Sequence, residues 1–349
     1  MKDGIMRNSK RSSYSAVVII AVFVSLLFFV ANMFWGAVSV PASAVVEAFM
    51  GRLPDDSAWS LIVLESRLPQ AATAFLAGAA LSVAGLLLQT LFGNPLAGPE
   101  VFGINSGAGL GVAVVMLLMQ GSFVAGALSV SGYAAVLAGA FLGAVLVIFI
   151  ILGLSSWVRN GVYLLIAGLA VSYLTSAVIT LLNYFATAEG VHSYLIWGMG
   201  NFGGVSLDYM PLFATLVIGA LVFSFIMVKP LNALMLGNAY AANLGIRTRR
   251  ARGVLLLLTG FLTATVTAFC GPISFIGLAV PHFARIALRT NNHFYMLPCT
   301  LLLGGAVALL CNLLCQLPGD SGLIPLGAIT PLIGAPVILY VVLRDKGGR

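Results

Sequence analysis

The sequence predicts an all-α integral membrane protein with about ten transmembrane helices. Of its 349 residues, 60% are hydrophobic and 8% are charged, and the mean hydropathy is +1.08. Apolar runs of about twenty residues, the length that crosses a bilayer, recur from end to end. The 39 glycines suit closely packed membrane helices. A soluble domain carries roughly a quarter charged residues, so this composition excludes one.

Glycine, proline and charged residues divide the chain into ten predicted spans. They cover residues 14–35, 69–92, 101–119, 134–154, 162–186, 207–228, 253–270, 273–289, 296–316 and 325–343. Residues 1–13 then form a cytoplasmic N-terminal tail, and residues 14–349 form a single polytopic domain.

Lysines and arginines predict the orientation. Placing both termini in the cytoplasm leaves only Arg52 and Arg67, of 17 basic residues, outside. Basic residues are retained on the cytoplasmic side, so this orientation is strongly favoured. The net charge of +7 lies in short clusters between apolar runs. We therefore interpret it as an orientation signal and predict no nucleic-acid partner.

Two hydrophilic segments interrupt the apolar pattern. Residues 40–65 form an external segment that leads to Arg67 at the mouth of the second span. Residues 229–252, KPLNALMLGNAYAANLGIRTRRAR, are too polar to cross the bilayer. Within them, Leu231 to Leu244 favour a short helix at the cytoplasmic surface.

A faint internal likeness relates residues 67–111 to residues 252–285. Each stretch has a Gly- and Ala-rich helix, then a proline, then a phenylalanine beside a Gly-Ile or Ile-Gly step. An odd number of spans separates the two stretches. Two copies spaced in this way insert in opposite orientations, as in the inverted repeats of many transporters.

Catalytic and ion-coupling groups are scarce. The spans carry neither HExxH nor a GxxxxGK[ST] phosphate loop, so we predict a transport protein rather than an enzyme, with no cofactor of its own. Glu100 and His282 are the ionisable residues closest to span interiors. A solitary ion-coupled secondary transporter would use such a group, and this alternative stays open.

Five ordered motifs resemble the FecCD-type permeases of bacterial importers for iron-siderophores, haem, ferric citrate and vitamin B12. The motifs are RLP (67–69), GAALSVAGLLLQTLFGNPLAGPEVFGINSGAGLG (78–111), LNALMLGNAYAANLGI (231–246), GPISFIGLAVPHFAR (271–285) and PLGAITPLIGAPVILYVVLR (325–344). The resemblance implies the type II ABC importer permease fold, with inverted repeats in spans 2–5 and 7–10. It also implies a multi-pass permease of the bacterial inner membrane that moves a metal chelate by alternating access.

The resemblance further implies partners: a second permease copy, making a homodimer, two cytoplasmic ATPase subunits that bind ATP and magnesium, and a periplasmic or surface substrate-binding protein. It assigns ATPase coupling to segment 229–252, through Leu236, Gly237, Asn238, Ala239, Leu244 and Gly245. It assigns binding-protein docking to Arg67. It assigns the translocation path and its cytoplasmic gate to Asn160, Gly161, Val162 and Asn183.

Two positions depart from the family pattern. Gln316 stands where vitamin B12 permeases carry a second docking arginine, and Gln70 replaces a basic residue that often follows Leu-Pro. These departures leave the chelate undetermined: iron-siderophore, haem and cobalamin all stay open.

Overall fold

The computed structural model describes residues 2–54, 56–119, 122–125, 128–158, 161–317 and 322–346. Within these ranges the chain is almost wholly α-helical, as predicted. The helices are α1 (Lys2–Phe34), α2 (Ala42–Phe49), α3 (Ala58–Ser60), α4 (Leu68–Phe92), α5 (Ile104–Ala113), α6 (Tyr133–Trp157), α7 (Gly161–Phe185), α8 (Ala188–Gly198), α9 (Met210–Ile226), α10 (Val228–Leu234), α11 (Asn238–Asn243), α12 (Thr248–Cys270), α13 (Ile276–Leu288), α14 (His293–Cys315) and α15 (Leu326–Lys346).

One small β-hairpin accompanies the helices, and the sequence analysis did not predict it. Strands β1 (Ser122–Ala125) and β2 (Leu128–Ser131) pair antiparallel between α5 and α6, with Ser122 opposite Ser131. Wider helical turns also occur at two places. Leu61–Arg67 leads into α4, and Val114–Leu118 continues α5.

Each predicted span corresponds to an apolar helical segment. Among the described residues, six helices are long and apolar enough to cross a bilayer, and α9 with α10 makes a seventh segment bent by 55°. The six lie in α1, α4 with its preceding turn, α6, α7, α12 and α14. Three shorter apolar helices, Ile104–Leu118, Ile276–Leu288 and Leu326–Tyr340, match the third, eighth and tenth predicted spans.

Segment 229–252 differs from its prediction. The sequence favours one short helix from Leu231 to Leu244, whereas the structure has two, α10 and α11. Gly237 separates them at φ +101°, a backbone conformation that ends an α-helix and that glycine tolerates. Gly237 therefore divides the predicted helix in two.

Helix α4 is the centre of the bundle. It packs against α14, α12, α13 and α9, and most of its residues from Ala71 to Leu91 are buried. A helix that is apolar all round belongs in the interior of a membrane protein. The preceding turn and α1 close its remaining sides.

The packing pattern is the one expected of two structural repeats. Helices α4–α7 form spans 2–5, and α12–α15 form spans 7–10. Helix α5 packs on α6 and α7, while α13 packs on α14 and α15; α4 contacts α13 and α14, while α12 contacts α5 and α6. Each short helix also starts after a left-handed residue, Gly103 before α5 and Phe275 before α13.

Close backbone contact at glycine holds these helices together. A Cβ atom added to Gly85 of α4 would overlap the carbonyl oxygen of Gly277 of α13, and one added to Gly111 would overlap the carbonyl oxygen of Gly139 of α6. Backbones that approach this closely leave no room for a side chain. Van der Waals packing of this kind drives helix association where lipid removes the hydrophobic effect.

Substitution of Gly85 by alanine therefore tests the central contact. We expect Gly85→Ala to destabilise the chain by about 1–3 kcal/mol, because a methyl group must displace the α13 backbone. Gly219 of α9 is the matched control, because a Cβ there meets nothing within 4 Å. Thermal unfolding in mild detergent measures both variants. Equal unfolding temperatures for the two would contradict the packing argument.

Candidate functional site

The six residues predicted for coupling form one exposed surface, which we call the coupling surface. It comprises Leu236, Gly237, Asn238, Ala239, Leu244 and Gly245, all of them exposed. Leu236 is 64% exposed and Leu244 is 57% exposed, and the neighbouring Tyr240 is 52% exposed. Large apolar side chains clustered on a polar segment mark an interaction surface.

The opposite side of the same segment is anchored in the bundle. Leu231 and Ala241 are fully buried, and Ala233 is 5% exposed. Helices α10 and α11 therefore present one apolar face to the protein and another outward. This amphipathic arrangement fixes the segment against the spans while leaving the coupling surface accessible.

Thr90, Asn232 and His293 join this segment to two spans; we call them the linkage residues. The backbone N–H of His293 donates to Asn232 Oδ1 at 2.9 Å, and His293 Nδ1 lies 2.9 Å from the same oxygen. A carbonyl oxygen only accepts, so Nδ1 carries the proton. His293 Nε2 lies 2.7 Å from Thr90 Oγ1. The linkage thus connects α10, α14 and α4 through a histidine that is 1% exposed.

Arg67 lies at the end of the turn before α4, and its side chain is 5% exposed. Its Nη1 donates to the carbonyl oxygen of Met33 at 2.7 Å, and its Nη2 donates to the carbonyl oxygen of Val38. The guanidinium therefore satisfies carbonyls at the end of α1 and beyond it. Docking by Arg67 stays a prediction, but this geometry favours a role in positioning the loop over direct contact with a partner.

The predicted path residues lie on or beside α7. Asn160 lies outside the described residues, Gly161 begins the helix, and Val162 is 58% exposed. Asn183 lies near the other end, and its Oδ1 is buried without a hydrogen-bond partner among the described residues. An unsatisfied amide oxygen is costly in an apolar setting, so this end of α7 is suited to a further polar group.

The structure shows a polar stripe on α7 that the sequence did not predict. Tyr173, Ser176, Thr180 and Tyr184 are all exposed. At steps of three and four residues they share one face of the helix. Only 17% of the α7 span is buried, although the helix crosses the bilayer by length and composition. Polar side chains on such a face indicate a water-filled path or a polar partner.

The two departures from the family pattern meet in the structure. Gln316 Nε2 donates to Gln70 Oε1 at 3.4 Å, and Gln70 Nε2 donates to Asn312 Oδ1 at 3.1 Å. Asn312 in turn donates to Asn32 Oδ1 at 2.7 Å. Gln316 is 4% exposed. The two glutamines therefore belong to one buried network of amides.

Glu100 and His282 are both engaged within the fold. His282 Nε2 donates to the carbonyl oxygen of Pro95 at 2.9 Å. Burial raises the pKa of the Glu100 carboxyl, while hydrogen bonds from its own backbone N–H and that of Phe275 act in the opposite direction. Within the described ranges, no group of three or more His, Cys, Asp or Glu residues is arranged to hold a metal ion.

Known proteins resemble this chain in both sequence and fold. The model of the FecCD transport family matches residues 17–344. The vitamin B12 import system permease protein BtuC of Klebsiella pneumoniae is 33% identical over 287 residues, covering 82% of this chain and 84% of the relative. BtuC of Salmonella typhi is 34% identical over 285 residues, covering 82% of this chain and 84% of that relative.

Two solved structures share the fold. One, described as an inward-facing conformation of a metal-chelate type ABC transporter, has a TM-score of 0.81 at 26% identity and covers 95% of this chain and 99% of its own. PsaBC from Streptococcus pneumoniae has a TM-score of 0.54 at 16% identity, covering 85% and 94%, which supports the fold alone. The match across residues 17–344 establishes that this chain belongs to the FecCD transport family.

Proposed function

We propose that this chain is the permease of an ATP-driven importer that carries a metal chelate across the bacterial inner membrane by alternating access. It works as a homodimer with two cytoplasmic ATPase subunits and an external substrate-binding protein. Both termini lie in the cytoplasm, and ATP with magnesium binds only to the partner. The coupling surface carries this proposal, because an anchored amphipathic segment with exposed leucines suits docking of a motor subunit.

The linkage residues supply the mechanical connection. Force applied at the coupling surface reaches α10, and Asn232 then passes it through His293 to α14 and through Thr90 to α4. Because α4 packs against the other central helices, its displacement moves both repeats. Packed interfaces of this kind convert a small local shift into a rigid-body rearrangement.

Helix α7 supplies the path. Its polar stripe and Asn183 offer hydrogen-bonding groups without a charge that would hold a chelate tightly. A second copy placed across this exposed face would complete the wall of the path. Gly161 and Val162, at the beginning of α7, mark its cytoplasmic gate together with Asn160. Small residues there leave room for a bulky chelate to pass.

The substrate class follows from the relatives. BtuC relatives are vitamin B12 permeases, and the neighbour with a TM-score of 0.81 is a metal-chelate transporter. Cobalamin, haem and iron-siderophores share a large chelated metal and require the wide path that a dimer interface provides. The binding protein supplies most of the selectivity among them.

Docking of that binding protein involves the external segment before α4. Arg52 on this segment is exposed, whereas Arg67 is buried against α1. Arg52 is thus available to pair with a carboxylate of the binding protein, and Arg67 holds the segment in place. Charge pairs at such a rim mainly raise the association rate.

A solitary secondary transporter would need an ionisable group free to bind its coupling ion. Glu100 receives backbone hydrogen bonds and His282 is bonded to Pro95. Both groups are therefore engaged within the fold. The secondary transporter has less support than the importer, which the coupling surface favours.

A charge introduced on the coupling surface should distinguish an ATP-driven importer from a solitary secondary transporter. We expect Leu236→Glu to weaken assembly with the ATPase about tenfold or more, because a buried charge replaces an apolar contact. Native mass in mild detergent measures the assembly, and ATP-dependent uptake into proteoliposomes measures transport. Leu323→Glu is the control, because Leu323 is 58% exposed and precedes α15, away from the segment. Unchanged ATP-dependent uptake in Leu236→Glu would refute the coupling role.

Removal of the Thr90 hydroxyl should uncouple ATP hydrolysis from transport. In Thr90→Val, His293 Nε2 loses its partner at a cost of about 1–3 kcal/mol. We expect ATPase assembly to persist while substrate moved per ATP falls several-fold. Thr215→Val is the matched control, because that exposed hydroxyl bonds only within its own helix, to the carbonyl oxygen of Pro211. An unchanged transport ratio in Thr90→Val would argue against the linkage.

Substitutions of Arg52 and Arg67 should affect different properties of the protein. We expect Arg52→Gln to slow association with the binding protein and leave unfolding unchanged. Arg67→Gln should instead destabilise the chain by about 1–3 kcal/mol, since it abandons buried carbonyls. Surface plasmon resonance and thermal unfolding measure the two effects. If Arg67→Gln has normal stability but docks more weakly, Arg67 contacts the binding protein directly.

A further inference from the structure

A cavity of about 670 Å³ lies behind the coupling segment. Helices α4, α10, α12, α13 and α14 surround it. Its polar lining includes Gln89, Thr90, Asn238, Arg252, Asn291 and Arg285. The proposed mechanism uses Thr90 and His293 on one wall of this space but assigns no ligand to the space itself.

The lining is positively charged. Arg252 of α12 and Arg285 of α13 both face the cavity, and none of the described lining residues carries a carboxylate. Arginine stays protonated in proteins, so the cavity holds two permanent positive charges. An anion in this partly buried space would be attracted above all by the Arg285 guanidinium, because burial weakens the screening by water.

Arg285 is held in a fixed orientation. Its Nη1 donates to Gln89 Oε1 at 2.7 Å, and Gln89 Nε2 donates to the carbonyl oxygen of Leu278 at 3.1 Å. This is the one hydrogen bond that the Arg285 guanidinium makes within the described part of the chain. A guanidinium has five N–H donors in a planar fork, so most of them stay available to a ligand. Such a fork matches the oxygens of a phosphate.

The position of the cavity along the membrane spans indicates where a bound anion would come from. It lies where α4 ends at Phe92 and where α14 begins at His293, and Arg252 lies in the first turns of α12. All three helices are candidate membrane spans. Span ends coincide with the layer of lipid head groups, and basic pockets between spans at this level bind anionic head groups.

We propose that this cavity is a binding site for a phosphate ester anion, with Arg285 as its principal ligand and Arg252 lining the same space. The phosphate of an anionic bilayer lipid is the occupant that the level of the cavity favours, and free phosphate is the other source of the same chemistry. Gln89 positions Arg285, and Asn291 contributes an amide donor. A bound lipid would contact Gly237 and Asn238, which belong to the coupling surface. Lipid composition would then influence ATPase coupling.

Titration of the full-length chain tests the site without any ATPase, so its outcome is independent of the proposed function. The delipidated protein in mild detergent is titrated calorimetrically with short-chain phosphatidylglycerol and with short-chain phosphatidylcholine. We expect preferential binding of phosphatidylglycerol, and a loss of about tenfold or more in Arg285→Gln. Competition with sodium phosphate at constant ionic strength separates the sources. Displacement assigns the site to free phosphate, and persistence assigns it to the lipid.

Matched variants keep the test specific. Arg249→Gln removes an exposed charge from the same end of α12 without touching the cavity, so we expect it to bind within about twofold of the native chain. Arg252→Gln examines the second arginine of the lining if Arg285→Gln fails to fold. Equal binding by the native chain and the cavity variants would overturn the proposal.

Discussion

Direct contact between the backbones of α4 and its neighbours is the constraint on which the rest of this structure depends. Gly85 meets Gly277, and Gly78 meets Gly304, with no space for a side chain between them. In a bilayer the hydrophobic effect does not draw apolar helices together, so such close packing must supply the association energy. This packing places α4 at the centre of the bundle, where its Thr90 contacts His293.

Polar groups inside the bundle are arranged around this centre. The amides of Gln316, Gln70, Asn312 and Asn32 form a chain in which α14 and its C-terminal end are joined to α4 and to α1. Beside the coupling segment, Asn232, His293 and Thr90 form a second, shorter chain. Each buried amide or imidazole needs a partner in an apolar environment, so these chains fix which helices adjoin. The first links α1, α4 and α14, and the second links α10 to α4 and α14.

The coupling segment combines these two properties. Its inner face is buried by Leu231 and Ala241, so it moves with the spans, and its outer face stays open. The charged cavity lies between this segment and the span ends. A ligand there would add stiffness to the connection, because it would touch both the segment and three spans. In the proposed mechanism, the same few residues serve docking, transmission and the response to lipid.

The sequence by itself determined the membrane class, the ten apolar segments and the repeat assignment, and it predicts the position of the coupling surface. Hydropathy and glycine pattern act locally along the chain, so they can be read without coordinates. Only the tertiary structure decided that Arg67 is buried, that Gln70 and Gln316 touch, and that Gly237 divides the coupling segment in two. It also revealed the stripe on α7 and the convergence of Arg252 with Arg285. These features arise between residues far apart in the chain, because packing decides which side chains meet.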